Sequence, residues 1–114
     1  MFAFALRGAR VRDAMVGDVP AVGAHVRVQA VAPLVESMGC AVVVDADRRP
    51  MGIVTREDLE YARRRGLLSA PVSMVMREDP ITAREDEPLE EAEARMAEAG
   101  VDCMPVVDGR GRLA

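Results

Sequence analysis

The sequence contains no tryptophan and no lysine, a single histidine and only two cysteines among 114 residues. Aromatic residues make up 3% of the chain, so its core must be built from Val, Ala, Leu, Ile and eight Met. Such a core is aliphatic, and its flexible methionines make it adaptable in shape. No apolar run is long enough to cross a bilayer, and the opening MFAFAL lacks the charge and cleavage site of a signal peptide. We therefore expect a cytoplasmic protein without a membrane segment.

Basic residues are outnumbered by acidic ones. Fifteen arginines face nineteen aspartates and glutamates, which gives a net charge of −4. Proteins that bind nucleic acids through their phosphates usually carry a basic footprint. We therefore expect no nucleic-acid partner.

The two cysteines show no local pattern. Cys40 and Cys103 lack the CxxC spacing of a redox pair or a zinc site, and His25 alone cannot complete a metal site. We expect both cysteines to be small buried hydrophobic residues, and we predict no metal site.

An internal repeat organises the chain. The segment VRDAMVGDVPAVGAHVRVQAV, which begins at Val11, aligns with VSMVMREDPITAREDEPLEEA, which begins at Val72. Further on, CAVVVD at residues 40–45 aligns with CMPVVD at residues 103–108. The offset between the copies rises from 61 residues (11 to 72) to 63 (40 to 103), so the second copy carries two additional residues between these anchors.

The first copy predicts a helix followed by a β-hairpin. The helix covers residues 26–38, and Pro33 should kink or shorten it because proline cannot donate a backbone hydrogen bond. Two apolar strands follow at residues 41–45 and 51–54, with a turn between them at residues 46–49.

The second copy predicts the same order of elements. Asp86 is a candidate N-cap, and Pro88 lies in the first turn of the helix. One apolar helical face is formed by Leu89, Ala92, Met96 and Ala99, and Gly100 ends the helix. The segment PVVD at residues 105–108 is a short strand, and residues 109–111 form the turn after it.

The segment GIVTRED, residues 52–58, ends the first hairpin and begins a helix from Arg56 to about Arg65, closed by Gly66. A Thr followed three residues later by an acid resembles a capping box, in which side-chain oxygens accept the free N–H groups of the first turn. A helix N-terminus also attracts phosphate, and Thr55 and Arg56 suit that role. Asp58 could accept hydrogen bonds from the two ribose hydroxyls of a nucleotide. On the residues alone we favour the cap, and the ligand site stays open as the alternative.

These features resemble a tandem pair of cystathionine-β-synthase-type (CBS) domains. The resemblance depends on the repeated V-x-x-x-M opening, the repeated VVD strand before a turn, and GIVTRED, which matches the family's G-hydrophobic-x-[TS]-x-x-[DN] signature. It covers residues 11–114. It implies an α/β (α+β) fold in which two β-α-β-β-α repeats pack sheet to sheet around a pseudo-two-fold axis.

The resemblance also divides the chain into segments. Residues 1–10 are a lead-in, residues 11–66 the first repeat, residues 67–71 a connector, and residues 72–114 a second repeat that lacks its last strand and helix. A hairpin without its second strand would leave an unpaired edge, which proteins usually cover. We expect either that the chain is a fragment or that a partner chain supplies the strand.

The resemblance implies a cleft that binds AMP, ADP, ATP or S-adenosylmethionine. Its predicted residues come from GIVTRED and from the opposite repeat: Thr55, Arg56, Asp58, Met76, Pro80, Ile81, Val101, Asp102 and Cys103. Met76, Ile81 and Val101 would enclose the adenine, although for any one of them alone ordinary core packing is the favoured explanation. An acid beside the phosphate, Glu57, favours AMP or a neutral to cationic adenosyl ligand over ATP without metal.

A second cleft would use Met15, Pro20 and the turn Met38-Gly39-Cys40, but the sequence contains no second Thr and Asp to complete it. We therefore expect one cleft in this chain. The resemblance implies a regulatory homodimer that acts on an effector domain in the same or another chain. The alternative is a structural dimerisation module without a small ligand. An enzyme is not expected, because no nucleophile lies near a credible base.

Overall fold

The apolar segments CAVVV and PMGIVT form the two central strands of a four-stranded sheet. These strands, β2 (Cys40–Val44) and β3 (Pro50–Thr55), make an antiparallel hairpin. On one side β1 (Ala21–Gly23) runs parallel to β2, and on the other β4 (Arg77–Glu78) runs antiparallel to β3. Because β4 belongs to the second repeat, this sheet joins the two repeats. The structure is a computed structural model that describes residues 8–17 and 19–114; most of the predicted lead-in lies outside them.

Two helices cover one face of this sheet. They are α1 (Val28–Met38) and α2 (Arg56–Arg65), which enclose an aliphatic core. The helix α2 begins and ends as the sequence predicts, and Gly66 closes it in the left-handed conformation, with φ of 70°. The buried residues of this core are Val28, Val31, Val35, Ala41, Val43, Val54, Leu59, Ala62, Val72 and Val75.

Proline does not end the first helix. The helix α1 begins at Val28, two residues after the predicted start, and runs through Pro33 to Met38. Proline removes one backbone hydrogen bond, but Val28, Val31 and Val35 lie on the buried face of the helix. Tertiary packing of an apolar face supplies most helical stability in proteins, which explains why the helix continues.

The second repeat contains a smaller sheet and one helix. The strands β5 (Ala83–Arg84) and β6 (Val106–Val107) run parallel, and α3 (Leu89–Ala99) lies between them in the chain. After the predicted turn, Leu113 pairs with Val107 in an antiparallel bridge. The Asp at the start of each hairpin turn has the same role in both repeats. The Oδ1 of Asp45 accepts the N–H groups of residues 47 and 49, and the Oδ1 of Asp108 accepts those of residues 110 and 112.

The prediction that Asp86 caps α3 is wrong. Pro88 occupies the N-cap position, with no side-chain hydrogen bond to the helix. The neighbouring Glu87 supplies the local order instead, because its two carboxylate oxygens accept hydrogen bonds from the Arg95 guanidinium at 2.6 and 3.0 Å. These bonds lower the pKa of the Glu87 carboxyl.

Each repeat inserts its opening segment into the other repeat. The N–H of Val11 donates to the carbonyl of Glu87 at 3.0 Å, and the N–H of Val72 donates to the carbonyl of Val26 at 2.7 Å. These two bonds are related by the 61-residue offset of the repeat. Two further pairs of N–H to carbonyl bonds follow the same offset. The bond from Arg12 to Glu85 corresponds to the bond from Ser73 to Ala24, and the bond from Leu89 to Ala9 corresponds to the bond from Val28 to Ala70. This reciprocal exchange is what a pseudo-two-fold axis between the repeats would produce.

The two cysteines pack in one apolar cluster, as predicted for small buried residues, but they are also bonded to each other, which the sequence did not predict. Cys40 and Cys103 form a disulfide that links the two repeats across a sequence separation of 63 residues. This separation equals the offset of the repeat at that point, so the two cysteines occupy equivalent positions. Local spacing cannot reveal such a pair, because the packing of one repeat against the other brings the sulfur atoms together.

Candidate functional site

A cavity of about 740 Å³ lies between the two repeats. Its wall from the first repeat includes the start of α2 and the apolar side chains of Val42 and Ile53. The wall from the second repeat includes Ile81, Val101 and Met104. The cavity therefore has one polar edge, at a helix N-terminus, within a mainly apolar surface.

Thr55 and Asp58 form a complete capping box at the start of α2. The Thr55 N–H donates to Asp58 Oδ2 at 2.9 Å, and the Asp58 N–H donates to Thr55 Oγ1 at 3.4 Å. The Thr55 hydroxyl also donates to Asp58 Oδ2 at 2.9 Å. Thr55 lines the cavity, whereas the Asp58 side chain, 13% exposed, does not. The capping interpretation is thus confirmed, and a ligand would have to draw Asp58 into the cavity.

Arg77 holds the acidic side chains at the start of α2. Its Nε donates to Asp58 Oδ1 at 3.4 Å, and its terminal nitrogen donates to Glu57 Oε2 at 3.1 Å. Arg77 lines the cavity, although it is not among the residues predicted for the site. It reaches α2 because β4 pairs with β3 and places Arg77 opposite Ile53. That pairing joins different repeats, and no pattern in the sequence announces it.

Arg56 lies at the cavity wall, but its guanidinium is engaged elsewhere. It donates to the carbonyl of Glu36 at 2.9 Å, near the C-terminus of α1. The last carbonyls of a helix have no partner within the helix, and arginine is a common donor to them. Arg56 therefore ties the end of α1 to the start of α2, and its predicted role as a phosphate ligand would require it to change partners.

Met76 packs in the core of the first repeat and does not line the cavity. Its sulfur explains the glycine that begins GIVTRED: a Cβ atom at Gly52 would lie 2.6 Å from Met76 Sδ and 2.9 Å from the carbonyl oxygen of Arg77. Any side chain at Gly52 would therefore separate β3 from β4. Of the two explanations open for Met76, core packing is the one that matches its position.

The other predicted residues of the second repeat surround the cavity: Pro80, Ile81, Val101, Asp102 and Cys103 all line it. Residues predicted for the second cleft, namely Met15 and the turn Met38-Gly39-Cys40, line the same cavity, whereas Pro20 does not. The residues assigned to two clefts thus border one continuous space.

Charged side chains at the cavity do not favour a highly anionic ligand. The acidic ones are Glu57, Glu93 and Asp102, and the basic ones are Arg56 and Arg77. Arg77 is already paired with carboxylates and Arg56 with a carbonyl. Within residues 8–17 and 19–114, no cluster of three or more His, Cys, Asp or Glu side chains could hold a metal ion. No helix in the same residues is long and apolar enough to span a bilayer.

Sequence comparison finds relatives over most of the chain. The family model of the CBS domain matches residues 11–64 and 72–114. Inosine-5'-monophosphate dehydrogenase of Aquifex aeolicus is 38% identical over 72 residues, which make up 62% of this chain and 14% of that enzyme. This chain therefore spans a small part of the length of that curated relative.

Structural comparison finds CBS domain pairs with the same fold. A CBS domain protein from Pyrobaculum aerophilum, complexed with AMP, matches with a TM-score of 0.84 at 23% identity, over 92% of this chain and 83% of that one. The CBS domain pair of protein MJ0100, in complex with 5'-methylthioadenosine and S-adenosyl-L-methionine, matches with a TM-score of 0.83 at 22% identity, over 92% and 85%. The predicted α+β fold is thus confirmed.

Proposed function

Because this chain belongs to the CBS-domain family, we propose that it is a regulatory module that binds an adenosine-containing nucleotide in the cavity between its two repeats. One observation supports this proposal most. The cavity combines a polar helix N-terminus from the first repeat with an apolar wall from the second. A nucleotide has matching parts, because its base is flat and weakly polar whereas its ribose and phosphate need hydrogen-bond donors and acceptors.

The ligands of similar structures support the adenosine class. One of the matching CBS domain pairs is complexed with AMP, and another with 5'-methylthioadenosine and S-adenosyl-L-methionine. These ligands share an adenosine and differ in the charge of the group at its 5' position. We propose that the shared adenosine is what this cavity recognises.

Side chains of both repeats take part in the proposed complex. The adenine lies between Ile81 and Val101, which border the cavity on the second repeat. The ribose hydroxyls bind Asp58, which must first give up its bond to Arg77. The freed Arg77 then pairs with the 5' phosphate of AMP. Ligand binding therefore exchanges an ion pair between the repeats for two contacts with the ligand, which couples binding to their relative position.

The acidic residues at the cavity set the preferred charge. Glu57 lies beside the proposed phosphate position, and within residues 8–17 and 19–114 Arg77 is its only arginine partner. A triply charged chain without metal would meet this carboxylate, which is unfavourable at short range. We propose that AMP and cationic adenosyl ligands bind more tightly than metal-free ATP.

Two matched substitutions test the proposed site. Ile81→Asp places a carboxylate against the adenine, whereas Met74→Asp makes the same change at an exposed apolar residue outside the cavity. A ligand that binds only the folded protein raises its melting temperature. We expect AMP to stabilise the wild type and Met74→Asp, but not Ile81→Asp. No shift in any of the three at millimolar AMP, adenosine and S-adenosylmethionine would contradict the proposal.

A second candidate function is a structural dimerisation module that binds no small molecule. The specific observation in its favour is the closed capping box, which occupies Thr55 and Asp58 without a ligand. In that case Asp58→Ala lowers the melting temperature but no ligand changes it in any variant. The same titrations therefore separate the two functions.

The remaining parts of the proposal concern the wider protein. We propose that the repeats span residues 11–66 and 72–114, joined by residues 67–71, that two copies form a homodimer, and that the module itself has no catalytic role. The signal would pass to an effector domain, either attached or in another chain. This arrangement is consistent with a relative in which the matching region is 14% of an enzyme.

A further inference from the structure

The disulfide joins equivalent positions of the two repeats. Cys40 follows α1 and begins β2, and Cys103 lies between α3 and β6 in the second copy. Two equivalent residues can touch only where the copies meet at the axis that relates them. The bond therefore lies near this axis, where a change at either cysteine affects both repeats.

The disulfide also forms part of the cavity wall. Both cysteines line the cavity, and Cys40 pairs across the hairpin with Thr55, the residue that caps α2. Cys103 lies two residues after Val101, in the proposed adenine wall. The single bond therefore ties the polar edge of the cavity to its apolar wall.

We propose that the Cys40–Cys103 disulfide is a redox-active site whose oxidation state sets the affinity of the cavity for its adenosine ligand. This inference rests on the proposed function. In a reducing compartment such as the cytoplasm disulfides are rare, and those that form there are mostly transient, catalytic or redox-sensing. A permanent structural link would be an unusual use of the pair in that compartment.

The chemical partner of the site is a dithiol. One thiolate of the dithiol attacks Cys103 Sγ, because Cys103 is half-buried whereas Cys40 is only 9% exposed. The S–S bond breaks, and Cys40 leaves as a thiolate that takes a proton from water. The second thiol of the reductant then attacks the mixed disulfide and releases Cys103 as a thiol. Two electrons and two protons pass to the protein, and the reductant becomes a disulfide.

Reduction should loosen the cavity without unfolding the protein. The exchanged opening segments and the pairing of β3 with β4 still join the repeats after the disulfide is lost. The two walls of the cavity, however, lose their covalent link and can separate. A site that is no longer fixed in its bound geometry pays more to order itself on binding, so its affinity falls.

Calorimetric titration of AMP into the oxidised and the reduced protein tests the inference. The reductant is excess dithiothreitol, and alkylation followed by mass measurement counts the free thiols in each sample. We expect the oxidised form to bind AMP about tenfold more tightly than the reduced form. The control is the double variant Cys40→Ser with Cys103→Ser, which should bind AMP like the reduced wild type and ignore dithiothreitol.

Three results would overturn the inference. They are equal AMP affinity in the two forms, thiols that stay free after oxidation, and a disulfide that dithiothreitol does not reduce in the folded protein. AMP binding to neither form, with the thiol count changing as expected, would instead overturn the proposed function and remove the ligand on which the inference rests.

Discussion

The two repeats share a pattern of backbone contacts but differ in the size of the buried core that each encloses. The first repeat encloses a core of ten buried residues, of which two, Val72 and Val75, come from the second repeat. Among residues 8–17 and 19–114, the corresponding cluster in the second repeat has three buried residues, and one of them, Val11, is contributed by the first. The second repeat therefore depends on contacts with the first for much of its stability.

This difference suggests that the two repeats contribute differently to ligand binding. Regions with few buried apolar contacts open more easily, and the moving parts of regulatory proteins are drawn from them. In this chain the proposed adenine wall belongs to the less buried repeat, whereas the capped helix α2 belongs to the well-packed one. A ligand between the repeats would thus contact the well-packed repeat at its polar edge and the less buried repeat at its apolar wall.

The largest expected effect on stability comes from a substitution in the core of the first repeat. Leu59→Ala removes a side chain that is 1% exposed and should lower the free energy of unfolding by about 2–5 kcal/mol. The matched change Leu89→Ala affects a residue of the second repeat that is 9% exposed and borders the cavity, so it leaves no enclosed void. Urea unfolding of both variants measures the difference. An equal loss of unfolding free energy in the two variants would contradict the claim that the first repeat has the better-packed core.

Removing the link between the repeats should have the next largest effect on stability. Replacing both Cys40 and Cys103 by Ser releases a loop of 63 residues in the unfolded chain. A native disulfide typically contributes about 2–4 kcal/mol, mainly by restricting the unfolded chain, so we expect a loss of that size. Urea unfolding of the oxidised wild type and the double variant measures it. A second unfolding transition in the double variant would indicate that the less buried repeat opens first, whereas unchanged stability would show that the link constrains neither state.

A substitution of Arg77 tests the proposed exchange of contacts at the boundary between the repeats. Arg77→Gln removes the partner of Asp58 and, in the proposed complex, the partner of the 5' phosphate. Adenosine, which lacks the phosphate, should gain affinity, and AMP should lose it, so that their affinity ratio changes by about tenfold. Calorimetric titrations measure both affinities.

The control for this variant is Arg84→Gln. Arg84 pairs with Asp86 in the second repeat and does not line the cavity. Its substitution should leave the ratio of the two affinities unchanged. A similar change in both variants would indicate a general effect of lost charge rather than a contact with the phosphate.

The smallest effect concerns pH and the start of α3. Hydrogen bonds from Arg95 lower the pKa of Glu87, so its stabilisation is present above the ordinary carboxyl pKa of 4.5 and is lost as the pH falls through the lower, folded value. Glu87→Gln should be less stable than the wild type near neutral pH, by less than about 1 kcal/mol because solvent screens the pair. Below pH 4.5 the two should converge. Thermal unfolding across this range measures it, with the exposed Glu90→Gln as control.

Sequence patterns predicted the features that depend on near neighbours. Gly66 and Gly100 mark the ends of α2 and α3 because only glycine adopts the left-handed conformation at low cost. The pair Thr55 and Asp58 predicted the capping box because both partners lie within one turn. Such features can be inferred from a few consecutive residues.

The features that were missed depend on the meeting of distant segments. The disulfide between Cys40 and Cys103 and the bonds of Arg77 to the start of α2 arise when one repeat packs on the other. The alignment of the two copies revealed the repeat but not the contact that each opening segment makes with the other repeat. The position of Met76 was missed for the same reason. The pairing of β4 with β3 places Met76 against Gly52 and turns its side chain into the core instead of toward the cavity.

The most direct test of the central claim is an NMR titration of the oxidised, ¹⁵N-labelled protein with AMP. The proposed site predicts saturable shifts of the backbone amides on both walls of the cavity, at residues 55–58 of the first repeat and 101–103 of the second. The exposed surface around Met74 and Tyr61 should stay unchanged. Shifts confined to that surface, or no saturable shifts at millimolar AMP, would contradict the claim that a nucleotide binds between the repeats.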